Sequence, residues 1–270
     1  VVIFVGGLNK NENQDCEGAD RRSLNLPYGQ DELIGELARV NRNLVAVIIS
    51  GNAVAMPWVN EVPAIVEAWY GGTEAGNAIA SVLAGEVNPS GKLPFTFPVR
   101  LEDNPAIALD AYPGDGKQVE YKEGIFVGYR WNDRERIKPL FCFGHGLSYT
   151  TFEYGKVTAE GRQMGPDGTI TVSVPVKNTG SRAGAEIVQL YVSDLKSSLP
   201  RPVKELKGFR KITLQPGQEQ TVSFTIDRKA LSFYDDTKQD WVAEPGTFEA
   251  LVGASACDIR GKAAFELTAR

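Results

Sequence analysis

Residues 169–177 read TITVSVPVK, and this short stretch decides half of the fold. Apolar Ile170, Val172, Val174 and Val176 alternate with Thr169, Thr171 and Ser173, the period of two that suits a strand with one buried face. The alternation recurs as EIVQLYVS at Glu186–Ser193 and as QTVSFTI at Gln220–Ile226. A last strand is predicted over Thr247–Val252, after the turn Pro245-Gly246. Further turn signals stand at Asn178-Thr179-Gly180 and Pro216-Gly217. Short strands at this spacing predict an all-β sandwich over residues 151–270.

Moving toward the N-terminus, residues 98–150 lose all periodicity. They carry Pro98, Pro105, Pro113 and Pro139 among glycines and aromatics, and are expected to form a long ordered connection. Residues 1–97 follow a different grammar. Val1–Val5 is an apolar run expected to be a strand covered on both faces. Gln30–Asn41 places Leu33, Ile34, Leu37 and Val40 at helical spacing, and Leu44–Ile49 is a second buried strand that stops at Ser50-Gly51. Val62–Trp69 mixes short strand and loop. TEAGNAIASVLAGEVNPSG (residues 73–91) reads as a helix that Thr73 can cap and the Gly85 to Gly91 stretch ends. Strand, helix, strand, helix predicts an α/β sandwich built on a partial, mostly parallel sheet. The opening VVIFVGGLN has neither a charged leader nor an initiating methionine. It reads either as a trimmed chain or as the C-terminal piece of something longer.

Of the 270 residues, 29 are Lys or Arg and 34 are Asp or Glu, a net charge of −5. That balance argues against nucleic acid or an anionic membrane as partner, since both require a basic patch. No apolar run approaches the ~18–20 residues of a membrane-spanning helix. Cys16, Cys142 and Cys257 are too few and too far apart for a disulfide framework or a zinc cluster, and the odd number leaves at least one thiol free. A histidine-rich metal site is excluded by the single histidine, His145, whose glycine-flanked setting FGHGLSYT reads as loop-ordering. There is no phosphate-binding loop, and Gly6-Gly7 is too short a dinucleotide fingerprint, so neither metal nor cofactor is predicted.

The loop after the first strand, GGLNKNENQDCEGADRRSLNLP (residues 6–27), gathers Glu12, Asp15, Glu17 and Asp20 beside Arg21 and Arg22. In parallel sheets ligands collect at the carboxyl ends of strands, where this loop sits. A carboxyl group flanked by cations can do acid/base chemistry on a polar, uncharged substrate. A solvated acidic loop is the competing reading. Trp58 and Trp69 are expected to pack in the core or under loops, and Arg201 and Lys204 to make surface or interdomain contacts.

Four stretches carry a resemblance to a known family. They are EGADRRSLNLPYGQDELI (17–34), AIVEAWYGGTEAGNAIASVLAGEVNPSGKLPFTFP (64–98), YKEGIFVGYRWNDRERIKPLFCFGHGLSYTTFEY (121–154) and RPVKELKGFRKITLQPGQEQTVSFTI (201–226). Together they resemble the C-terminal portion of glycoside hydrolase family 3, the β-glucosidase and β-xylosidase group. The last stretch is similar to the family's fibronectin-type-III-like domain. The resemblance implies an α/β sandwich domain over 1–97, a connection over 98–150 and a fibronectin-type-III-like β-sandwich over 151–270. It implies Glu17 as the catalytic acid/base with Asp20 and Arg21 as a substrate-binding pair; Glu12, further from that pair, is the second choice. The implied activity is retaining, exo-acting hydrolysis of terminal β-D-glucosyl residues from a β-linked oligosaccharide or glucoside. The nucleophilic aspartate would lie on an N-terminal barrel domain not represented here, so the chain alone is expected to be inactive. A β-xylosidase, a non-catalytic carbohydrate-binding or scaffold module, and an interaction protein acting through the sandwich are the alternatives. The resemblance favours a periplasmic or secreted location.

Overall fold

The computed structural model describes residues 1–269 and divides into two compact units. The first comprises residues 1–87, 97–119 and 138–141. Its elements are β1 (Val2–Gly7), α1 (Gln30–Val40), β2 (Leu44–Ile49), β3 (Ala64–Glu67), α2 (Ala75–Leu83) and α3 (Pro105–Ala108). The strands form a parallel sheet in the order β1-β2-β3, with Gly7 opposite Ile49 and Ile48 opposite Glu67. All three strands therefore end at the same edge.

The central strand β2 earns its apolar run: Leu44, Ala46, Val47 and Ile48 are fully buried. β1 does not match its expectation. It is an edge strand, and while Phe4 is buried, Ile3 is 50% and Val5 57% exposed. A continuous apolar run reports burial on both faces only when helices cover both, and here α1 packs against β1 and β2. The expected Thr73 cap is also absent. A 3₁₀ turn occupies Gly72–Glu74, the helix begins at Ala75, and its N-cap position falls on Glu74 without a side-chain cap bond. Trp58 is buried, donating from Nε1 to Asp31 Oδ1 at 2.8 Å.

The second unit comprises residues 88–96 and 120–137 together with the chain from Cys142 onward. It contains α4 (Tyr129–Glu135), β4 (Phe152–Tyr154), β5 (Thr158–Glu160), β6 (Gln163–Met164), β7 (Thr169–Asn178), β8 (Gly184–Asp194), β9 (Glu205–Leu214) and β10 (Glu219–Asp227). After these come α5 (Arg228–Leu231), β11 (Phe233–Asp235), β12 (Asp240–Val242), β13 (Gly246–Ser255) and β14 (Asp258–Leu267). One sheet runs β10-β7-β4, with β5 also paired to β7; the other runs β6-β14-β13-β8-β9. Val172, Val174 and Val176 of β7 face Leu190 and Val192 of β8 and Phe248 of β13 in one hydrophobic core. The fold is thus an α/β unit on a parallel sheet followed by a β-sandwich.

β13 is not the last strand, because β14 follows it and pairs with it from Gly246↔Leu267 to Ser255↔Asp258. Arg201 and Lys204, expected at the surface or between domains, are buried inside this unit. The Arg201 side chain is 6% exposed and donates to Asp194 Oδ2 (3.0 Å), Glu205 Oε2 (2.5 Å) and Leu231 O (2.8 Å). Lys204 Nζ pairs with Asp133 of α4 at 2.5 Å. Cys142 and Cys257 form a disulfide with Cα atoms 6.0 Å apart, across 115 residues of sequence, and Cys16 stays free. The backbone of His145 accepts from Leu93 N–H and donates to Cys142 O, and burial beside Lys92 holds its imidazole below the usual range.

Candidate active site

The site lies within the first unit, where the segments following β1, β2 and β3 meet. Gln30 of α1 fixes the entry to the long loop after β1: its Oε1 accepts from Gly7 N–H at 2.8 Å and its Nε2 donates to Gly7 O at 2.9 Å. Asp15 N–H then donates to Asn9 O at 3.0 Å, folding residues 9–15 back on themselves. Cys16 and Ala19 form an isolated antiparallel bridge, which leaves Glu17 and Gly18 as the two central residues of a tight turn. Gly18 has φ +85°, the conformation a type II turn needs at its second central position and glycine supplies without strain. Glu17 is exposed at the tip of this turn, and its carboxylate meets no hydrogen-bond donor among the described residues.

The residues on either side are tied down. Asp15 Oδ2 accepts from Gly51 N–H, just after β2, at 2.6 Å and from the Tyr70 hydroxyl, just after β3, at 2.9 Å. Its Oδ1 lies 3.6 Å from Arg21 Nε, and the two side chains are only 11% and 10% exposed. Arg21 Nη2 donates to Ala53 O at 2.7 Å, whereas Nη1 is buried without an acceptor among the described residues. Burial pulls the guanidinium downward from its ordinary value and Asp15 opposes that. Asp20 is exposed and accepts a hydrogen bond from the Tyr112 hydroxyl, which the carboxylate pushes up in pKa. Glu12 lies on the same loop and lines an open cleft of about 490 Å³ together with Arg21, Arg22, Ser23 and Asn25.

A second carboxyl group stands behind the loop. Glu67 ends β3, and its Oε1 lies 3.2 Å from Ser50 Oγ and accepts from Trp69 N–H at 3.3 Å. Its Oε2 is buried with no partner among the described residues. Burial, more than the nearby charge of Asp15, pushes Glu67 up to about 7. Burial and the bond to Asp15 push Tyr70 up to about 12, so its hydroxyl remains a donor at physiological pH. The structure thus gathers Asp15, Glu17, Asp20 and Arg21 on one anchored loop. Sequence reasoning named Asp15 only as one loop acid among four, and it missed Glu67, Tyr70 and Tyr112. A carboxylate closing the apolar run Ala64–Val66 was the available signal for Glu67.

Residues 1–129 match the model of the glycosyl hydrolase family 3 C-terminal domain, and residues 186–256 match that of a fibronectin type III-like domain. The chain belongs to glycoside hydrolase family 3, of which it carries the C-terminal portion. It is 59% identical over 268 residues to beta-glucosidase BoGH3A of Bacteroides ovatus, covering 98% of this chain and 36% of that protein. It is 50% identical over 258 residues to thermostable beta-glucosidase B of Acetivibrio thermocellus, covering 96% of this chain and 34% of that protein. Among solved structures, the beta-glucosidase from Kluyveromyces marxianus in complex with glucose aligns with a TM-score of 0.91 at 41% identity, over 98% of this chain and 31% of that one. The chain spans about a third of the length of these relatives.

Proposed function

We propose that this chain is the C-terminal part of a retaining, exo-acting β-glucosidase and that Glu17 is its general acid/base. The observation that carries the reading is an exposed carboxylate at the tip of a tight turn whose neighbours on both sides are anchored at the carboxyl edge of a parallel sheet. Retaining hydrolysis pairs two carboxyl groups ~5–5.5 Å apart, one attacking the anomeric carbon and the other protonating the leaving oxygen. Glu17 is placed for the second task because its carboxyl group is exposed and engaged by no hydrogen-bond donor among the described residues. After the glycosyl-enzyme forms, the same group, now ionised, takes a proton from the attacking water. The nucleophilic aspartate is proposed to reside on a barrel domain of the whole protein, as in the family pattern. Asp20 is proposed to accept from a sugar hydroxyl with the oxygen that Tyr112 does not use, with Arg21, held by its bond to Ala53 O, as its partner in binding the substrate. The names of the relatives support glucose as the sugar. The Cys142–Cys257 disulfide supports an oxidising compartment.

The test is Glu17→Ala in the full-length protein. The value of kcat/KM for cellobiose should fall by about 10²–10⁴-fold, the usual contribution of a general acid. Glycosylation by 2,4-dinitrophenyl β-glucoside, whose phenolate leaves without a proton, should change little. Turnover should then stall at the glycosyl-enzyme and resume with azide, yielding β-glucosyl azide. The same pattern in Glu12→Ala instead would move the assignment to Glu12. Faster turnover of aryl β-xyloside than of the glucoside would make the protein a β-xylosidase, and inactivity of the unaltered protein on both would favour a scaffold module. Residues 1–270 produced alone should not turn over 4-nitrophenyl β-glucoside.

A further inference from the structure

Residues 8–29 form a long loop, and a loop of this kind holds an exposed side chain steady only if something pins it close by. Two residues before Glu17, one carboxylate does so. Asp15 receives hydrogen bonds from the segment after β2, through Gly51 N–H, and from the segment after β3, through the Tyr70 hydroxyl, and it faces Arg21 of its own loop. All three strand ends are thereby joined at a single carboxylate. Gly51 makes the approach possible, because a Cβ there would lie 2.9 Å from the Tyr70 ring and 3.3 Å from Asp15 Oδ2. All three partners are donors. Gly51 and Tyr70 share Oδ2, so an asparagine that keeps its oxygen there turns its N–H₂ group against the Arg21 guanidinium, and a glutamate would push the loop outward by a methylene.

We propose that Asp15 is a positioning residue for acid/base catalysis, fixing through its contacts with Gly51, Tyr70 and Arg21 where the Glu17 carboxyl group stands. The inference rests on the reading of Glu17 as the acid/base. A misplacement of about 1 Å can cost a catalytic group on the order of 10²-fold, so a slack turn should impair protonation of the leaving group without abolishing binding.

The variants are Asp15→Asn and Tyr70→Phe in the full-length protein, each checked for a native circular-dichroism spectrum and melting point, with Glu17→Ala as reference. Asp15→Asn should lower kcat/KM for cellobiose by about 10–10²-fold, with KM changed little, and should leave glycosylation by 2,4-dinitrophenyl β-glucoside within about threefold. Tyr70→Phe, which removes one hydroxyl, should show the same selectivity at smaller size, and it carries the test if Asp15→Asn fails to fold. In the Glu17→Ala background Asp15→Asn should have almost no further effect on cellobiose, because an effect exerted through Glu17 vanishes with it. The proposal is overturned if both substrates fall equally, if the loss persists at full size in the Glu17→Ala background, or if cellobiose turnover is unchanged. It is also overturned if Asp15→Ala, and not Glu17→Ala, is rescued by azide, since Asp15 would then be the acid/base itself. If Glu17→Ala gives the full leaving-group pattern and Asp15→Asn none, the reading of Glu17 stands and the positioning role alone is lost.

Discussion

Glu67→Gln should make the protein more stable at alkaline pH and remove a pH dependence that the unaltered protein carries. The Ser50 hydroxyl has one proton and lies 2.8 Å from Asn52 O, closer than the 3.2 Å to Glu67 Oε1. With that proton drawn to Asn52, Ser50 gives the charged carboxylate only weak support, which leaves the protonated carboxyl as the favoured state. Burial favours the same state, with Glu67 pushed up to about 7. The sign follows from proton binding: between the ordinary glutamate value near 4.5 and about 7, the folded protein binds a proton that the unfolded chain has released. The stability due to this site is therefore complete at low pH, falls as pH rises through that window, and levels off above it. At about 1.4 kcal/mol per pH unit, the whole window corresponds to about 3 kcal/mol. Glutamine keeps an acceptor for Trp69 N–H and cannot ionise. Urea unfolding at pH 5, 6, 7 and 8, followed by tryptophan fluorescence, should show the two proteins similar at pH 5 and the variant ahead by about 2–3 kcal/mol at pH 8. Parallel pH profiles, or a variant that is less stable at pH 8, would refute the protonated-carboxyl argument.

The remaining predictions concern the β-sandwich unit. Replacing both Cys142 and Cys257 by alanine frees a 115-residue loop in the unfolded chain and should cost about 4–5 kcal/mol, read as a lower urea midpoint that dithiothreitol reproduces in the unaltered protein. Arg201→Met should cost about 3–5 kcal/mol, because it leaves Asp194 and Glu205 as buried charges without their principal partner; thermal unfolding of the variant checks this, and Arg201→Lys should recover only part of the loss.

The elements that the sequence announced are those whose side chains alternate or repeat without interruption. β7 and β2 were legible almost to the residue, since Ile170, Val172, Val174 and Val176 of β7 and Leu44, Val47 and Ile48 of β2 are buried branched aliphatics. β14 was not, because its inward positions Gly261 and Ala263 flank Lys262 and are followed by Ala264 on the outer face, so the period of two has little hydrophobic amplitude until Phe265 and Leu267. β1 was found but its environment was misjudged: an apolar run cannot say which of its faces a neighbour covers. The disulfide was invisible for a related reason, as 115 residues of separation carry no information about which cysteines meet. Within the site, the loop acids were legible from their position after a strand, and Glu17 was singled out by family likeness alone. What anchors the loop comes from Gly51, Tyr70 and Tyr112, on segments far away in sequence and ordinary in type. The desolvation that pushes Glu67 up to about 7 comes from what packs around it in three dimensions, which no local pattern encodes.

The order β1-β2-β3 places the best-buried strand in the middle and hangs the Glu17 loop from an edge. β2 has a neighbour on each side, whereas β1 and β3 have one each within this unit. The segments after all three strands meet at Asp15, so the loop that leaves the edge strand is referenced to the central one through the amide of Gly51. The Glu17 loop thereby takes its position from strands it does not follow in sequence as well as from the one it does.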